Sequence, residues 1–272
     1  MKIKFTKMHG IGNDFVVIDC RNIEAHVIQA ASEKLCDRRF GIGADQLLLL
    51  HDSDKADFRM EIFNADGSEV EMCGNGIRCF ALYLKTHGLT DKTELEIETL
   101  GGIIRPTVRE DLVEVNMGKA ILEGREIPVN LDGRVVSRPL EILDRTFDIT
   151  CVSMGNPHCV IFVDDVENFP LTKYGPVIEK HELFPNRINV EFVEVINDRE
   201  VRMRVWERGS GETLACGTGA CATAVASILN EKVARRITVH LAGGDLDILW
   251  GEDDTVYMTG PAEEVFEGVI EL

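Results

Sequence analysis

The sequence predicts an α+β protein built from two similar, duplicated domains, in each of which short strands surround one buried helix. Three observations lead to this prediction. The 272 residues are enough for one large domain or for two of about 130 residues each. The chain aligns with itself at a nearly constant offset. Each half also contains one apolar segment of helical length among short β-branched runs, which is typical of a helix buried on every side.

The internal repeat is the strongest of these observations. At an offset of 143 residues, which places position 12 on position 155, polar, aromatic and Cys-Gly positions coincide, and after the Cys-Gly motifs the offset becomes 142. The first-copy positions are Gly12-Asn13, Gln46, Phe63, Glu69 and Cys73 to Gly76, then Cys79, Gly101-Gly102 and Gly118. Their partners are Gly155-Asn156, Asn189, Trp206, Glu212 and Cys216 to Gly219, then Cys221, Gly243-Gly244 and Gly260. An ordered series with a single one-residue shift predicts a duplication, because separate chance matches would not keep one offset.

Apolar and β-branched runs give the individual elements. In the first half we expect strands at 15–19, 46–50, 58–63, 94–99, 104–108 and 112–116, with helices at 28–39 and 77–85. In the second half we expect strands at 160–164, 190–195, 201–206, 237–241, 246–250 and 255–258, with helices at 171–180 and 220–229. The stretch 123–138, which contains Gly and Pro, is the predicted connection and first hairpin of the second copy.

Composition disfavours several classes of protein. Lys and Arg number 29 against 47 Asp and Glu, a formal charge of −18, so nucleic acid and anionic membrane surfaces are poor partners. The apolar runs are too short to span a bilayer and the N-terminus does not read as a signal peptide, which predicts a globular cytoplasmic protein. Eight cysteines are too few for a disulfide scaffold, so most are expected to be reduced and buried.

Two of the cysteines, Cys73 and Cys216, occupy equivalent positions just before a Gly-x-Gly sequence and at the start of the predicted buried helices. The N–H groups and dipole of a helix start favour a thiolate, so we expect a pKa below the free thiol value of about 8.5. The same N–H groups form a site for a carboxylate. We therefore hypothesise a two-base reaction, in which one thiolate removes a proton from carbon and the opposing thiol protonates the other face.

Other interpretations of the cysteines are weaker. Cys73 and Cys79 are six residues apart, and Cys216 and Cys221 five, so neither pair shares a helix face and zinc ligation is disfavoured. The Gly-x-Gly sequences do not complete a dinucleotide-binding fingerprint, and their surroundings are not βαβ units. The other six cysteines are expected to be core residues: Cys20, Cys36, Cys79, Cys151, Cys159 and Cys221.

Polar side chains at repeat-related positions extend the candidate site. Three pairs lie near predicted strand or helix ends: Asn13 with Asn156, Gln46 with Asn189, and Asn64 with Glu207. An Asn after Gly is commonly only a turn residue, but three recurring pairs favour ligand contacts.

Two further polar residues, His158 and Arg208, have no counterpart, because Phe15 and Ala65 occupy the aligned positions. His158 is either a structural histidine or a residue that tunes a catalytic thiol. Arg208 is either a surface residue or a bidentate ligand for a second substrate carboxylate.

Four segments of the chain resemble the diaminopimelate epimerase family. They run in order over nearly the whole sequence, and the Cys-centred ones are the most specific. The segments are Met8 to Phe15, Asn64 to Arg78, Gly155 to His158, and Glu207 to Gly219. The resemblance implies a pyridoxal-phosphate-independent epimerase, without cofactor or metal, that interconverts LL- and meso-2,6-diaminopimelate for lysine and cell-wall precursor synthesis.

The resemblance also implies an architecture. Each domain would be a mostly antiparallel β-sheet wrapped around a central helix, with the active site in the cleft between the domains and a homodimer as the assembly. We expect the N-terminal repeat at 1–119, joined by the C-terminal strand 264–272, and the C-terminal repeat at 120–263. Phe266 stands where the family commonly has a dimer-interface tyrosine, so the position keeps an aromatic ring.

By position, the resemblance assigns roles to individual residues. Cys73 and Cys216 correspond to the catalytic acid–base pair, and His158 and Glu207 to residues that adjust the cysteine pKa values. The positions that correspond to substrate contacts are Asn13, Gln46, Asn64, Gly74, Asn75, Asn156, Asn189, Glu207, Arg208, Gly217 and Thr218.

Two rival hypotheses stay open at this point. A proline or hydroxyproline racemase uses a similar cysteine pair, but its second motif usually lacks the Glu-Arg pair found at Glu207-Arg208. A thiol redox-sensing binding protein would instead use Cys73 and Cys216 as a reversible disulfide.

Overall fold

The computed structural model describes all 272 residues and divides them into two compact units. Unit 1 contains residues 1–116 and 259–272, and unit 2 contains residues 117–258. Both boundaries fall inside strands. The limits of the two repeats proposed above, 1–119 with 264–272 and 120–263, stay a prediction.

The elements follow the predicted order. Those up to residue 119 are β1 (Lys2–Gly10), β2 (Asn13–Asp19), α1 (Ala25–Ala30), α2 (Ser32–Cys36), β3 (Gln46–His51), β4 (Phe58–Asn64), α3 (Gly74–Thr86), β5 (Ile97–Thr99), β6 (Gly102–Ile104), β7 (Pro106–Arg109) and β8 (Leu112–Lys119). The remainder are β9 (Arg138–Ile142), β10 (Arg145–Ser153), β11 (Pro157–Phe162), α4 (Leu171–Glu179), β12 (Asn189–Asn197), β13 (Glu200–Glu207), β14 (Gly211–Thr213), α5 (Gly217–Leu229), β15 (Arg236–Leu241), β16 (Gly244–Trp250), β17 (Thr255–Pro261) and β18 (Glu263–Glu271).

Unit 1 is a mixed sheet that carries one long helix. The strand order is β18-β1-β2-β3-β4-β5-β6, and the C-terminal strand β18 forms one edge. Strands β2 and β3 are parallel, as are β4 and β5, whereas β1 is antiparallel to both of its neighbours. Helix α3 packs against β1, β2, β7 and β18, and its residues 74–84 are all buried. The unit therefore encloses its central helix.

Unit 2 has the same plan. Its strand order is β17-β16-β15-β13-β12-β11-β10-β9, with β14 paired to β13. Strands β11 and β12 are parallel, as are β13 and β15. The antiparallel pairs are β9–β10, β10–β11, β12–β13, β13–β14 and β15–β16. Helix α5 packs against β10, β11, β12, β13, β15 and β16, and nearly all of its residues are buried. No helix in the structure is long and apolar enough to cross a membrane.

Strand register reproduces the offset that the sequence predicts. In each unit a parallel pairing joins the first two strands of the motif, an antiparallel pairing joins the next two, and a final antiparallel contact follows. The unit 1 pairs are Phe15 with Gln46, Leu47 with Phe63, and Phe63 with Glu69. The unit 2 pairs are His158 with Asn189, Val190 with Trp206, and Trp206 with Glu212. Every one of these positions is shifted by 143 residues.

The structure differs from the sequence prediction at helix ends and in strands β1, β9, β10 and β14, which were not predicted. The first hairpin of the second copy is β9–β10, whereas the predicted hairpin at 123–138 is a loop with one isolated bridge, between Glu123 and Arg134. Helices α3 and α5 begin at Gly74 and Gly217, three residues before the predicted starts, because the Gly-x-Gly sequence forms the first helical turn and does not precede it. The predicted helix 28–39 is two short helices, α1 and α2, that join at Ala31. Helix α4 agrees with the prediction to within one residue.

Candidate active site

Cys73 and Cys216 lie immediately before helices α3 and α5, each in the N-cap position and each in an extended conformation. Their backbone angles nearly coincide, at φ −137°, ψ 115° for Cys73 and φ −136°, ψ 104° for Cys216. A residue at this position points its side chain at the N–H groups of the first helical turn. The Cys73 sulfur accepts a hydrogen bond from the Gly76 N–H at 3.4 Å.

The third residue of each helix is a glycine in close contact with its cysteine. A Cβ on Gly76 would lie 3.3 Å from the Cβ of Cys73, and one on Gly219 would lie 3.1 Å from the Cys216 sulfur. In each unit the cysteine side chain therefore lies against the first turn of the helix. The N–H groups of such a turn have no partner within the helix and attract anions.

Asn13 and Asn75 surround the thiol of Cys73. The amide oxygen of Asn13 accepts a hydrogen bond from Asn75 Nδ2 at 3.2 Å and lies 3.8 Å from the Cys73 sulfur. Asn13 Nδ2 donates to Asp45 at 2.8 Å, which fixes the orientation of the Asn13 amide. Gly12, in the turn before Asn13, has φ 87°, a value that favours glycine. The structure thus brings three predicted site residues together, and we call them the Cys73 cluster.

Gln46 and Asn64 form a second predicted pair in unit 1, at facing positions on strands β3 and β4. Gln46 Nε2 donates to Asn64 Oδ1 at 2.9 Å, and Asn64 Nδ2 donates to the Ser68 hydroxyl at 3.0 Å. The buried Gln46 Oε1 has no hydrogen-bond partner. The pair is fixed by its own hydrogen bonds and keeps one acceptor available for a ligand.

An ion-pair network holds the turn that carries Asn13. Asp14 pairs with Lys7 at 2.5 Å and with Arg38 at 2.7 Å. Burial would raise the pKa of Asp14, but hydrogen bonds and charge from Arg38 and Lys7 outweigh it and leave the pKa far below its usual value. Asp14 is therefore a carboxylate throughout the neutral range.

Arg78, in the otherwise apolar helix α3, is fully buried. Its Nε donates to the Pro261 carbonyl at 3.2 Å, and its Nη1 donates to the Gly74 carbonyl at 3.4 Å. The guanidinium thus ties the first turn of α3, beside Cys73, to the end of β17. Sequence reasoning gave Arg78 no role, although a charged residue inside an apolar helix is a signal of a specific partner.

Cys216 lies in a different environment from Cys73. Its side chain is buried, at 6% exposure, and its sulfur is 3.6 Å from the Thr218 hydroxyl. Burial raises the pKa of the Cys216 thiol well above its usual value, and the carboxylates of Glu207 and Glu191 raise it further, while Thr218 and the Gly219 N–H lower it by less. The prediction of a lowered pKa is therefore wrong for Cys216, because desolvation and two nearby carboxylates outweigh the helix start.

The side-chain amide of Asn189 is hydrogen-bonded to the backbone of Arg208. Asn189 Oδ1 accepts from the Arg208 N–H at 2.8 Å, and Asn189 Nδ2 donates to the Pro157 carbonyl at 3.0 Å. Arg208 Nη1 donates to the Asn186 carbonyl at 3.1 Å. The buried amide of Asn189 thus joins the segment that carries Asn156 to the segment that carries Arg208.

Glu207 and its loop are fixed from two sides. The Thr213 hydroxyl donates to the Glu207 carboxylate across the β13–β14 hairpin. Glu179, a buried residue that sequence reasoning missed, accepts from Trp206 Nε1 at 2.9 Å and from the Gly209 N–H at 3.1 Å. These hydrogen bonds hold the loop that carries Glu207 and Arg208 against α4 and β14.

His158 is fully buried between two acceptors. Its Nδ1 lies 2.7 Å from the Glu191 carboxylate and its Nε2 lies 3.0 Å from Asn156 Oδ1. Glu191 is also fully buried, and sequence reasoning gave it no role. We call His158, Glu191, Asn156, Glu207, Cys216 and Thr218 the Cys216 cluster.

The other six cysteines are buried, as predicted, and none of the eight forms a disulfide. Burial raises the pKa of Cys20 and of Cys79 to about 12 and that of Cys36 to about 11. These thiols are therefore unreactive at neutral pH.

Comparison with solved structures defines the class of the fold. A PhzF-family phenazine biosynthesis protein from Bacillus anthracis matches with a TM-score of 0.75 at 17% identity and covers 100% of both chains. A hydroxyproline epimerase from Agrobacterium vitis matches with a TM-score of 0.66 at 14% identity, over 99% of this chain and 92% of that one. The protein thus has the duplicated two-domain α+β fold that PhzF-family and proline racemase-like proteins share, which confirms the predicted fold class.

Sequence comparison identifies the family within this class. The family model described as diaminopimelate epimerase matches residues 5–123 and 150–265. Diaminopimelate epimerases from Moorella thermoacetica and Acetivibrio thermocellus are 54% and 52% identical, over 97% and 99% of this chain and 98% and 99% of their own lengths. The chain belongs to the diaminopimelate epimerase family and is an isomerase, as the resemblance in the sequence implied.

Proposed function

We propose that this protein interconverts LL- and meso-2,6-diaminopimelate, with Cys73 and Cys216 as the two bases that act on one α-carbon. The observation that supports this most strongly is the pair of cysteines in one backbone conformation at the N-termini of two repeat-related buried helices. In a member of this family, such a pair fits a reaction that needs one proton acceptor and one proton donor on opposite faces of a carbon.

The helix starts would bind the substrate α-carboxylate. The N–H groups of Gly74 and Asn75 in α3, and of Gly217 and Thr218 in α5, belong to first helical turns and have no partner within their helices. Negative charge grows on the carboxylate as the α-proton leaves, and donors already in position stabilise that charge more than they stabilise the ground state. This stabilisation makes the carbon acid accessible to a thiolate without a cofactor.

Proton transfer then requires one thiol that holds a proton and one that has lost it. The raised pKa of Cys216 makes this residue the protonated donor at the start, so Cys73 is the acceptor in that direction. Cys73 takes the α-proton, the carbanion forms, and the Cys216 proton is delivered to the opposite face. After turnover the cysteines have exchanged protonation states, which is the state from which the reverse reaction starts.

The remaining polar residues would bind the substrate and tune the thiols. Arg208 is suited to a second carboxylate because its guanidinium is a bidentate donor. Glu207, held by Thr213, would contribute to substrate binding and would keep Cys216 protonated through its negative charge. The further proposed contacts are Asn13, Gln46, Asn64, Asn156 and Asn189. The product would enter lysine and peptidoglycan synthesis in the cytoplasm.

We also propose that the protein is a homodimer that pairs through β18. This strand is an edge of the unit 1 sheet and exposes three apolar side chains, Val265, Phe266 and Val269. Phe266 also packs edge-on against Phe5, with ring centroids 5.9 Å apart. Light scattering of the purified protein tests the assembly, and a Phe266→Asp variant should be monomeric.

Incubation of the reduced protein with LL-diaminopimelate in D₂O tests the reaction. We expect meso product that carries deuterium at the inverted α-carbon, and no deuterium uptake from L-proline or hydroxyproline under the same conditions. Absence of both deuterium uptake and meso product would refute the proposed function. Uptake from proline with none from diaminopimelate would point to the racemase hypothesis.

A further inference from the structure

Glu191 is a buried acid to which the proposed chemistry assigns no contact with the substrate. It lies in strand β12, its side chain is fully buried, and its neighbours Val190 and Phe192 are core residues. A carboxylate loses much hydration free energy on burial, so a protein keeps one in its interior only with a partner or a task.

In the first copy of the repeat, apolar residues occupy the positions of Glu191 and His158. Position 191 corresponds to Leu48 in the first copy, and His158 corresponds to Phe15. The contacts are equivalent: a Cβ on Gly76 would meet Leu48 at 3.2 Å and Phe15 at 3.4 Å, and a Cβ on Gly219 would meet Glu191 Oε1 at 2.9 Å. Unit 1 thus packs an apolar pair under its cysteine-capped helix, whereas unit 2 packs an ionisable pair. A buried ion pair seldom stabilises a fold more than an apolar pair of similar volume, so stability alone does not explain it.

Hydrogen-bond geometry restricts the protons of this pair. Nδ1 of His158 lies 2.7 Å from Glu191 Oε1 and Nε2 lies 3.0 Å from Asn156 Oδ1, so both ring nitrogens face oxygen acceptors. Two arrangements satisfy both contacts. Either an imidazolium faces a carboxylate, or a neutral ring with its proton on Nε2 accepts the proton of the Glu191 carboxylic acid. In both arrangements Nε2 carries a hydrogen and the pair has no net charge.

We propose that Glu191 is a positioning residue that keeps a proton on His158 Nε2 and thereby orients the Asn156 amide. With Asn156 Oδ1 held by that N–H, the Asn156 Nδ2 hydrogens are directed away from the ring. The inference rests on the proposed function in one respect, namely that Asn156 binds substrate. A carboxylate is suited to this task because its negative charge stabilises a ring that carries a hydrogen on both nitrogens, one donated to Glu191 and the other to Asn156.

The groups around the pair are consistent with its buried, net-neutral state. Burial raises the pKa of Glu191, His158 lowers it, and Glu207 on β13 raises it again. On the helix side, Cys216 is the titratable neighbour, and Cys159 follows His158 on β11 with a pKa that burial, Cys151 and Glu191 raise. Among these groups, His158 is the one that lowers the pKa of Glu191.

Nitrogen NMR of ¹⁵N-histidine-labelled protein without substrate tests the proposal directly. In the wild type, Nε2 of His158 should be protonated at neutral and mildly alkaline pH. In Glu191→Gln the side-chain amide either accepts from or donates to Nδ1, so a neutral ring with an unprotonated Nε2 should become populated. Glu194→Gln, the same change on the same strand, should behave as wild type. An Nε2 that stays fully protonated in Glu191→Gln would overturn the proposal.

Steady-state kinetics test whether the protonation of His158 Nε2 affects the reaction. Glu191→Gln should lower kcat/KM about 10- to 100-fold, the size expected for one hydrogen bond to a charged group, mainly through a higher KM. The double variant His158→Phe with Glu191→Leu copies the first-copy pair, so it should fold with at least wild-type stability and show the same kinetic loss. Wild-type kcat/KM in either variant would contradict the proposal. Because the NMR experiment needs no turnover, its failure is distinguishable from a failure of the proposed function.

Discussion

The starts of helices α3 and α5 have one backbone geometry and two chemical environments. Cys73 is half-buried, beside the amide of Asn13, and accepts a hydrogen bond from Gly76. Burial raises the pKa of the Cys216 thiol, and the carboxylates of Glu207 and Glu191 raise it further. Duplication accounts for the matching backbone geometry of the two cysteines, whereas the residues around each thiol differ between the two copies.

Substitutions at three repeat-related positions produce this asymmetry. Where unit 1 has Phe15, Leu48 and Asn64, unit 2 has His158, Glu191 and Glu207. All three ionisable residues belong to the Cys216 cluster, so an apolar and amide environment in one copy has become a charged one in the other. Changes at these positions, or at the cysteines themselves, are the ways to test the comparison.

Loss of either thiol should have the largest effect. Cys73→Ala and Cys216→Ala should each reduce epimerisation by at least about 10²- to 10⁴-fold, because each removes one of the two proton-transfer groups. Meso product formed from LL-diaminopimelate is the measurement. Cys151→Ala, which removes a buried thiol outside both clusters, is the control and should stay active. Full activity in either of the first two variants would rule out the two-base scheme.

Neutralisation of Glu207 should lower the pKa of the Cys216 thiol and make this thiol more reactive. Glu207→Gln removes a negative charge that raises the pKa of Cys216, so that pKa should fall and alkylation of Cys216 below its pKa should accelerate, tenfold for a fall of about one unit. Peptide mapping after iodoacetamide treatment without substrate measures the rate. Glu212→Gln, in the adjacent strand β14, should leave the rate unchanged. A slower reaction of Cys216 in Glu207→Gln would have the wrong sign for this account.

Alanine at the third position of the helix should destabilise the protein more in α5 than in α3. A Cβ on Gly219 would lie 2.9 Å from Glu191 Oε1 and 3.1 Å from the Cys216 sulfur, so Gly219→Ala should cost about 1–3 kcal/mol. Gly76→Ala meets only side-chain carbons at 3.2 Å or more, and the gain in helix propensity partly offsets that contact. Urea unfolding measures both. Equal losses of unfolding free energy in the two variants would mean that Glu191 does not restrict the space beside Gly219.

Acid should lower the free energy of unfolding by a smaller amount, through protonation of Asp14 in unit 1. Asp14 has a folded-state pKa below its unfolded value, so the stability it contributes is present above about pH 4 and is lost as the pH falls further. The loss should be about 1–2 kcal/mol. Pro157 takes the equivalent position in the second copy, so no matching carboxylate titrates there. Asp14→Asn should remove this part of the acid dependence of urea unfolding, and an unchanged dependence would exclude the ion pair as its source.

The sequence predicted the duplication, the two cysteines and the central helices because these leave local signals. The 143-residue offset recurs in the strand register, and the Cys-Gly motifs begin the two buried helices. The pKa of Cys216 was not predictable, since it depends first on burial of the thiol in the folded protein and then on carboxylates from strands β12 and β13. Glu191, Glu179 and Arg78 were missed for the same reason: each acts through partners distant in sequence, at positions where one sequence shows only an isolated charge.

The pH dependence of alkylation at Cys73 and Cys216 in the wild-type protein tests the central claim, that the two matched thiols differ in protonation. Peptide mapping follows both sites in one sample. Cys216 should react more slowly than the half-buried Cys73, with a midpoint above the free thiol value of about 8.5. A Cys216 midpoint at or below that value would contradict the claim.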